Sequence, residues 1–254
     1  MLEQIIAIVR EAGNMVRTAT DIAGKTTEKN GAADLVTKYD VAVENFLREK
    51  LTALLPDALF YGEESAKGGD PARGWVFIVD PIDGTTNFVR GLNQSAVSAA
   101  LYKDGIAEYG VVYDPIKDEM FSAQRGRGAF LNGDPIHVSD RPLDKGIFGM
   151  GTAIYNREFE QQTISVLGQL FARSCDFRRM GAAALDLCYI AAGRYDAFFE
   201  FSLAPWDFAA GRLVITEAGG QICTMEGGEL PLCRCGIWAA NPVNFHILKK
   251  ISWE

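Results

Sequence analysis

Apolar residues recur at Leu2, Ile5, Ile6, Val9, Ala12 and Val16, the spacing of one helical face, so the chain opens on an amphipathic helix. A second helix is expected from about Tyr39 to Leu55, with Val43, Phe46, Leu47, Leu51 and Leu54 facing inward. The polar residues around Lys25 to Gly31 read as the loop between them. After Pro56, the short stretches Ala58 to Tyr61 and Trp75 to Val79 read as strands. From Ala96 to Val138 the chain is rich in β-branched and aromatic residues. It is broken by Asp-Gly, Asp-Pro and Asn-Gly turns at 104, 114 and 132, the pattern of an antiparallel meander.

Beyond Gly146 the elements alternate. A strand near Ile147 precedes a helix over Arg157 to Phe171, and a strand near Phe177 precedes a helix over Ala182 to Ala192. A strand through Ala197 to Phe201, a helix over Pro205 to Ala218, two short strands and a terminal helix complete the chain. Gly193 and Gly219 fall where helix C-caps belong, and Pro205 suits a first helical turn. The pattern predicts an α+β half over residues 1–145, with an antiparallel sheet, and an α/β half over residues 146–254. No Ser-, Pro- or Gly-rich linker divides them, so the expectation is one compact body.

Composition narrows the function classes. A net charge of −8 and a pI near 4.9 leave no electrostatic footprint for nonspecific nucleic-acid binding. No run is long enough to span a bilayer, and Met1-Leu2-Glu3-Gln4 lacks the basic start of a signal peptide. Five scattered cysteines, at 175, 188, 223, 233 and 235, suit a reducing compartment, and the expected location is the cytoplasm. Cys233-x-Cys235 without a second pair is a weak zinc signal.

The chemistry lies where Val76-Phe-Ile-Val runs into Asp80-Pro81-Ile82-Asp83-Gly84-Thr85-Thr86-Asn87-Phe88. A rigid strand fixes whatever sits at its end, and two carboxylates so held suit a hard divalent cation. Gly84 lets the backbone approach a ligand, and the N–H groups of a following helix start can face an anion. Asp and Gly are also plain turn formers. Other acids stand at element ends: Glu63 and Glu64 after a short strand, Glu200 ending Phe198-Phe-Glu-Phe201, and Asp207 in the first turn after Pro205. Asp40 completes a capping box with Thr37. Each has an innocent explanation, but convergence on one multi-metal pocket explains the set together.

Gly62-Glu63-Glu64-Ser65, Asp80-Pro-Ile-Asp83-Gly-Thr85-Thr86-Asn87-Phe88 and Trp206-Asp207-Phe-Ala-Ala-Gly211 through Glu217-Ala-Gly-Gly220 resemble the signature segments of the inositol monophosphatase family. Asp34-Leu-Val-Thr37-Lys-Tyr-Asp40 and Gly128-Ala-Phe-Leu-Asn-Gly133 extend the similarity over nearly the whole chain. The resemblance implies a layered αβαβα sandwich and a Mg²⁺-dependent, lithium-sensitive phosphomonoesterase, commonly a homodimer, acting on a small phosphate ester. Carried onto this sequence, it implies that Glu63, Asp80 and the Ile82 carbonyl hold one Mg²⁺. Asp80, Asp83 and Asp207 hold a second, and Glu63 helps with a third. It further implies that Asp40 and Thr85 activate the attacking water, that Gly84 and Thr85 offer N–H groups to the phosphate, and that Glu200 and Asp207 meet the substrate.

Inositol 1-phosphate is the substrate expected first, with fructose 1,6-bisphosphate and histidinol phosphate behind it. Arg178 and Arg179 are candidates for a second phosphate, although a solvated or structural pair is the plainer reading. A regulatory or binding role is the non-enzymatic alternative, since some members of the family have partners in RNA and transcription complexes. The Asp-x-Asp pattern of aspartyl-phosphate enzymes is one residue shorter than this one, and no Gly-x-Ser-x-Gly supports a serine hydrolase.

Overall fold

The computed structural model describes residues 1–28, 35–65 and 70–253, and Asp34, which opens the family-like segment ending at Asp40, lies outside them. Helix α1 (Leu2–Arg17) buries Ile5, Val9, Ala12 and Val16, the face its periodicity predicts. The expected polar loop is partly wrong. Thr26–Glu28 forms a short strand, β1, that pairs antiparallel with β2 (Leu35–Thr37), while the rest of that loop, up to Gly31, lies outside the described residues. Helix α2 (Lys38–Leu54) follows. Thr37 is its N-cap and Asp40 closes the capping box.

A seven-stranded sheet then forms from β3 (Leu59–Gly62), β4 (Trp75–Asp83), β5 (Ala96–Lys103), β6 (Ile106–Asp114), β7 (Glu119–Gln124), β8 (Ala129–Leu131) and β9 (Asp134–Ile136), in that order. Only β3 and β4 run parallel, and the rest is the expected meander. A short helix, α3 (Thr85–Arg90), leaves the end of β4.

The second half supplies β10 (Ile147–Met150), α4 (Glu160–Phe171), β11 (Asp176–Arg178), α5 (Ala183–Ala191), β12 (Ala197–Leu203), α6 (Pro205–Glu217), β13 (Gln221–Thr224), β14 (Cys235–Ala240) and α7 (Pro242–Leu248). Its five-stranded sheet has the order β11-β10-β12-β14-β13 and is mixed, parallel on one side of β12 and antiparallel on the other.

The layers follow from which residues share a core. One cluster joins α1 and α2 to one face of the large sheet through Val9, Leu47, Phe77 and Val111. A second fills the space between the sheets with α5 and α6, where Ile78, Leu187, Phe208 and Ile237 meet. A third packs α4 and α7 on the far face of the small sheet through Val166, Phe199, Trp238 and Leu248. The order is therefore α/β/α/β/α, as expected. All nine residues of α5 are buried, which suits a helix that is apolar except at Asp186 and sandwiched between two sheets. Gly193 and Gly219 adopt positive φ just after α5 and α6, as their C-cap positions require. Among the described residues no helix is long and apolar enough to cross a membrane.

Candidate functional site

Strand β4 runs further than its apolar pattern suggests, and both Asp80 and Asp83 belong to it. Its register against β5 slips between them, with Asp80 opposite Ser98 and Asp83 opposite Ala96. Three steps along β4 thus match two along β5, which is a bulge at Pro81 and Ile82. Proline has no N–H for the ladder, so a bulge is where a strand tolerates it. In a regular strand residues three apart face opposite sides, and the extra residue cancels that alternation, bringing both carboxylates to one side. The Ile82 N–H donates to Asp80 Oδ1 at 3.0 Å, while the Ile82 carbonyl accepts from the Thr85 hydroxyl at 3.1 Å.

Gly84 then turns the chain with φ of +84° and acts as the N-cap of α3. A Cβ there would stand 2.9 Å from the Gln94 carbonyl and 3.0 Å from the Gly181 carbonyl, so sterics and dihedral both demand glycine. The first amides of α3 have no intrahelical partner by construction.

Other elements bring further acids to this corner. Glu63 follows β3, and its N–H donates to the Val79 carbonyl at 3.2 Å, extending the β3–β4 pairing to the residue beside Asp80. Asp40 is fully buried, with Oδ2 receiving the Thr37 N–H at 2.7 Å and the Thr37 hydroxyl at 2.6 Å. Its Oδ1 lies 3.2 Å from the Thr85 hydroxyl oxygen, so the expected Asp40 and Thr85 pair is brought together. Asp83 Oδ2 receives the Ala184 N–H at 2.8 Å, which fastens the start of α5 to the end of β4. Asp207 Oδ2 receives the Ala204 N–H at 2.7 Å across the first turn of α6.

Glu200 does not end its strand as expected but sits inside β12, just before a register irregularity. Its Oε1 receives the Ala153 N–H at 3.0 Å. Ala153 holds φ of +44°, a strained value for a residue with a Cβ, at the place where it grips this carboxylate.

The acids feel one another. Burial, then the charges of Glu63, Asp83, Asp207 and Asp40, push the Asp80 carboxyl well above the usual range. Asp83 is raised to about 7 by burial and by Glu63 and Glu200, against the stabilising amide of Ala184. Asp207 is raised to about 7 by burial and by Asp83. Glu200 is raised to about 7 by burial first, with Asp207 adding to it and the Ala153 amide, Arg179 and Arg234 opposing. Burial likewise raises Asp40, against its hydrogen bonds from Thr37 and Thr85.

This is an oxygen-only donor set whose charge the protein's own cations leave largely uncompensated, which is the chemistry a hard divalent cation fits. Among the described residues no group of three or more His, Cys, Asp or Glu is already arranged to hold a metal ion.

The two arginines part company. Arg178 is exposed and paired with Asp176 at 2.6 Å, so the structural reading holds for it. Arg179 reaches towards Thr152 Oγ1 at 3.5 Å, and its charge is felt at Glu200 and Asp186.

Two acids escape the sequence reading. Asp186 is the one acid of the buried helix α5, and its pKa is pushed well up by burial and then by Asp83 and Glu200. Glu44 is 2% exposed and accepts the Glu64 N–H at 2.7 Å. Its spacing of four residues from Asp40, on one face of α2, was the available signal.

Known proteins share this sequence pattern and this fold. The Nus factor SuhB of Escherichia coli is 41% identical over 247 residues, covering 95% of this chain and 91% of that protein. The solved extragenic suppressor protein suhB of Bartonella henselae superposes with a TM-score of 0.91 at 35% identity, covering 98% of this chain and 96% of that one. Inositol monophosphatase from Anabaena gives 0.87 at 30% identity, over 98% and 94%. Inositol monophosphatase II of Staphylococcus aureus, solved with inositol monophosphate and with 2'AMP bound, gives 0.82 in both complexes at 27% and 28% identity, over 96% of this chain and 89–90% of that one. The inositol monophosphatase family profile matches residues 1–254, and this chain belongs to that family.

Proposed function

We propose that the protein is a metal-dependent phosphomonoesterase that hydrolyses inositol monophosphate by in-line attack of water on phosphorus. The observation that carries this reading is that Asp80, Asp83 and Asp207, raised by burial and by one another's charge with Glu63 acting on the first two, stand beside a glycine turn that opens a helix. Glu63, Asp80, Asp83, Asp207 and the Ile82 carbonyl would hold two to three Mg²⁺ ions, which supply neutralising charge and Lewis acidity when bound. The family resemblance supports a homodimer, and the five scattered cysteines support the cytoplasmic location.

The chain's own groups handle the proton. Thr37 saturates Asp40 Oδ2, which leaves Oδ1 facing the Thr85 hydroxyl. As the water attacks, Thr85 Oγ1 takes its proton and passes its own to Asp40, whose raised pKa makes it the better base near neutrality. The Gly84 and Thr85 amides face the phosphoryl oxygens, where charge grows in the transition state. Glu200 uses one oxygen on Ala153, so the other is available to a substrate hydroxyl. Thr85→Val keeps the shape and removes the relay. It is expected to lower kcat about 100-fold with KM little changed, a split that steady-state kinetics reads directly.

Substrate choice is tested by phosphate release from inositol 1-phosphate, fructose 1,6-bisphosphate, histidinol phosphate and adenosine 3′,5′-bisphosphate, with and without Li⁺. A lithium-inhibited preference for inositol 1-phosphate supports the assignment, and preference for a bisphosphate moves it to that substrate. The staphylococcal relative's complexes with inositol monophosphate and 2'AMP favour a small phosphate ester. The pairing of exposed Arg178 with Asp176 weighs against its half of the candidate second-phosphate site.

The relatives named Nus factor, at 41% identity, favour a second reading in which this fold serves as a regulatory or binding protein. Partner binding that survives Asp80→Asn while hydrolysis disappears would assign both roles to the chain.

A further inference from the structure

Helix α2 carries a second buried acid one turn beyond Asp40, and nothing in the reaction outlined above employs it. Glu44 is almost wholly enclosed. Its Oε2 receives the Glu64 N–H at 2.7 Å and its Oε1 receives an Arg48 N–H at 3.0 Å. Arg48 lies over the Phe60 ring and also reaches the Ser65 hydroxyl. One carboxylate and its arginine thus grip the chain from Phe60 to Ser65 from both sides of the turn.

Gly62 shows how tightly the pieces fit. A Cβ at Gly62 would lie 2.4 Å from Glu44 Oε2 and 2.7 Å from the Phe60 ring, so glycine is the side chain that lets the carboxylate pass under the turn. The residue between Gly62 and Glu64 is Glu63. Its own N–H is held by the Val79 carbonyl at the end of the β3–β4 pairing. With the amides of Glu63 and Glu64 both fixed, the backbone from which Glu63 projects has little freedom.

We propose that Glu44 is a positioning residue for the cation site: by holding the Glu64 amide, it fixes the backbone of Glu63 and so presents the Glu63 carboxylate to the acids at the end of β4. The proposal rests on the metal-dependent reading above. It makes α2 a single ruler for two parts of the site, with Asp40 set against Thr85 and Glu44 set against the Glu63 turn, four residues apart on one helical face. Groups that orient metal ligands without touching the metal commonly change affinity 10- to 100-fold when removed.

The test compares Glu44→Ala, Glu44→Gln and Gly62→Ala with the wild type in the full chain, each first confirmed as folded by circular dichroism. Amide hydrogen exchange at Glu64 reads the hydrogen bond itself, independently of metal or activity. Calorimetric titration of Mg²⁺ into the substrate-free protein reads the consequence.

Glu44→Ala is expected to lose Glu64 protection and to weaken Mg²⁺ binding about tenfold or more. Gly62→Ala is expected to do the same from the opposite side of the contact. Glu44→Gln keeps an oxygen to accept the amide and is expected to stay within about threefold of wild type. A general structural role for the negative charge would instead make Glu44→Gln as poor as Glu44→Ala, and that result overturns the proposal. So does a folded Glu44→Ala protein with wild-type Mg²⁺ affinity. Wild-type protein that binds no divalent cation overturns the metal-dependent reading on which the proposal rests, and the exchange measurement shows separately whether Glu44 holds the turn.

Discussion

Asp83→Asn is expected to abolish hydrolysis and, in the absence of divalent cation, to make the protein more stable. The two effects have one origin. Asp83 is buried at the bulged end of β4, and burial with Glu63 and Glu200 raises its pKa to about 7. Above that pH the folded protein carries a charge that it holds less favourably than water does. A shift from 3.8 to about 7 corresponds to an upper limit of roughly 4 kcal/mol. Asparagine keeps an oxygen for the Ala184 amide and removes the charge. The new amide N–H groups need acceptors, which offsets part of the gain, so the expected net increase at pH 8 is about 2 kcal/mol by thermal or urea unfolding. The gain should shrink as pH falls below about 7 and vanish near pH 4, where Asp83 is protonated in the folded and unfolded states alike. Hydrolysis should fall about 1000-fold or more, since the carboxylate is a proposed cation ligand. A variant that loses activity and stability together at pH 8 would point to a structural role instead.

Cation-free protein is expected to be more stable at pH 5.5 than at pH 8, and Mg²⁺ is expected to erase most of the difference. Asp83, Asp207 and Glu200 each titrate near 7 when folded, against 3.8, 3.8 and 4.5 in water. Between those values the folded state binds more protons than the unfolded state, so stability falls as pH rises. The contribution is complete below about pH 4 and is lost as pH passes through about 7. The groups interact with one another, so their effects do not add. A total loss on the order of 3 kcal/mol between pH 5.5 and 8 is expected, from about 1.4 kcal/mol per group per pH unit reduced by that coupling. Saturating Mg²⁺ should raise the melting temperature at pH 8 far more than at pH 5.5, because binding to the folded state alone is a stabilising term and protons compete for the same oxygens. A melting temperature that is independent of pH, or a Mg²⁺ effect equal at both values, would contradict the electrostatic account.

The fold was legible in the sequence wherever one face of an element is buried and the other wet. The α1 face, the meander and the alternation after Gly146 all follow from that contrast. The short strand Thr26–Glu28 escaped because three polar residues carry no period, and only its partner Leu35–Thr37 makes it a strand. Helix α5 was legible as an element, but not as the centre of the molecule, since uniform burial leaves no moment to read.

The acids of the site could be named from their places at element ends, yet their convergence could not be derived from spacing. Asp80 and Asp83 meet because a bulge cancels the two-residue alternation, and a bulge is set by pairing with β5 rather than by β4 alone. Glu200 was misplaced at a strand end because Ser202 and Leu203 continue the pairing past the aromatic run. Arg178 and Arg179 are neighbours in sequence with opposite fates, which the local pattern does not distinguish. Glu44 reads as a solvated helical acid until the turn that covers it is in place.

Whether hydrolysis depends on the cation is read from phosphate release from inositol 1-phosphate by the wild-type protein stripped of metal, titrated with Mg²⁺ and then with EDTA. No turnover is expected without the cation, saturable turnover with it, and loss again on chelation. Turnover that is indifferent to Mg²⁺ and EDTA, or none at any Mg²⁺ concentration with any of the four phosphate esters, would contradict the metal-dependent reading.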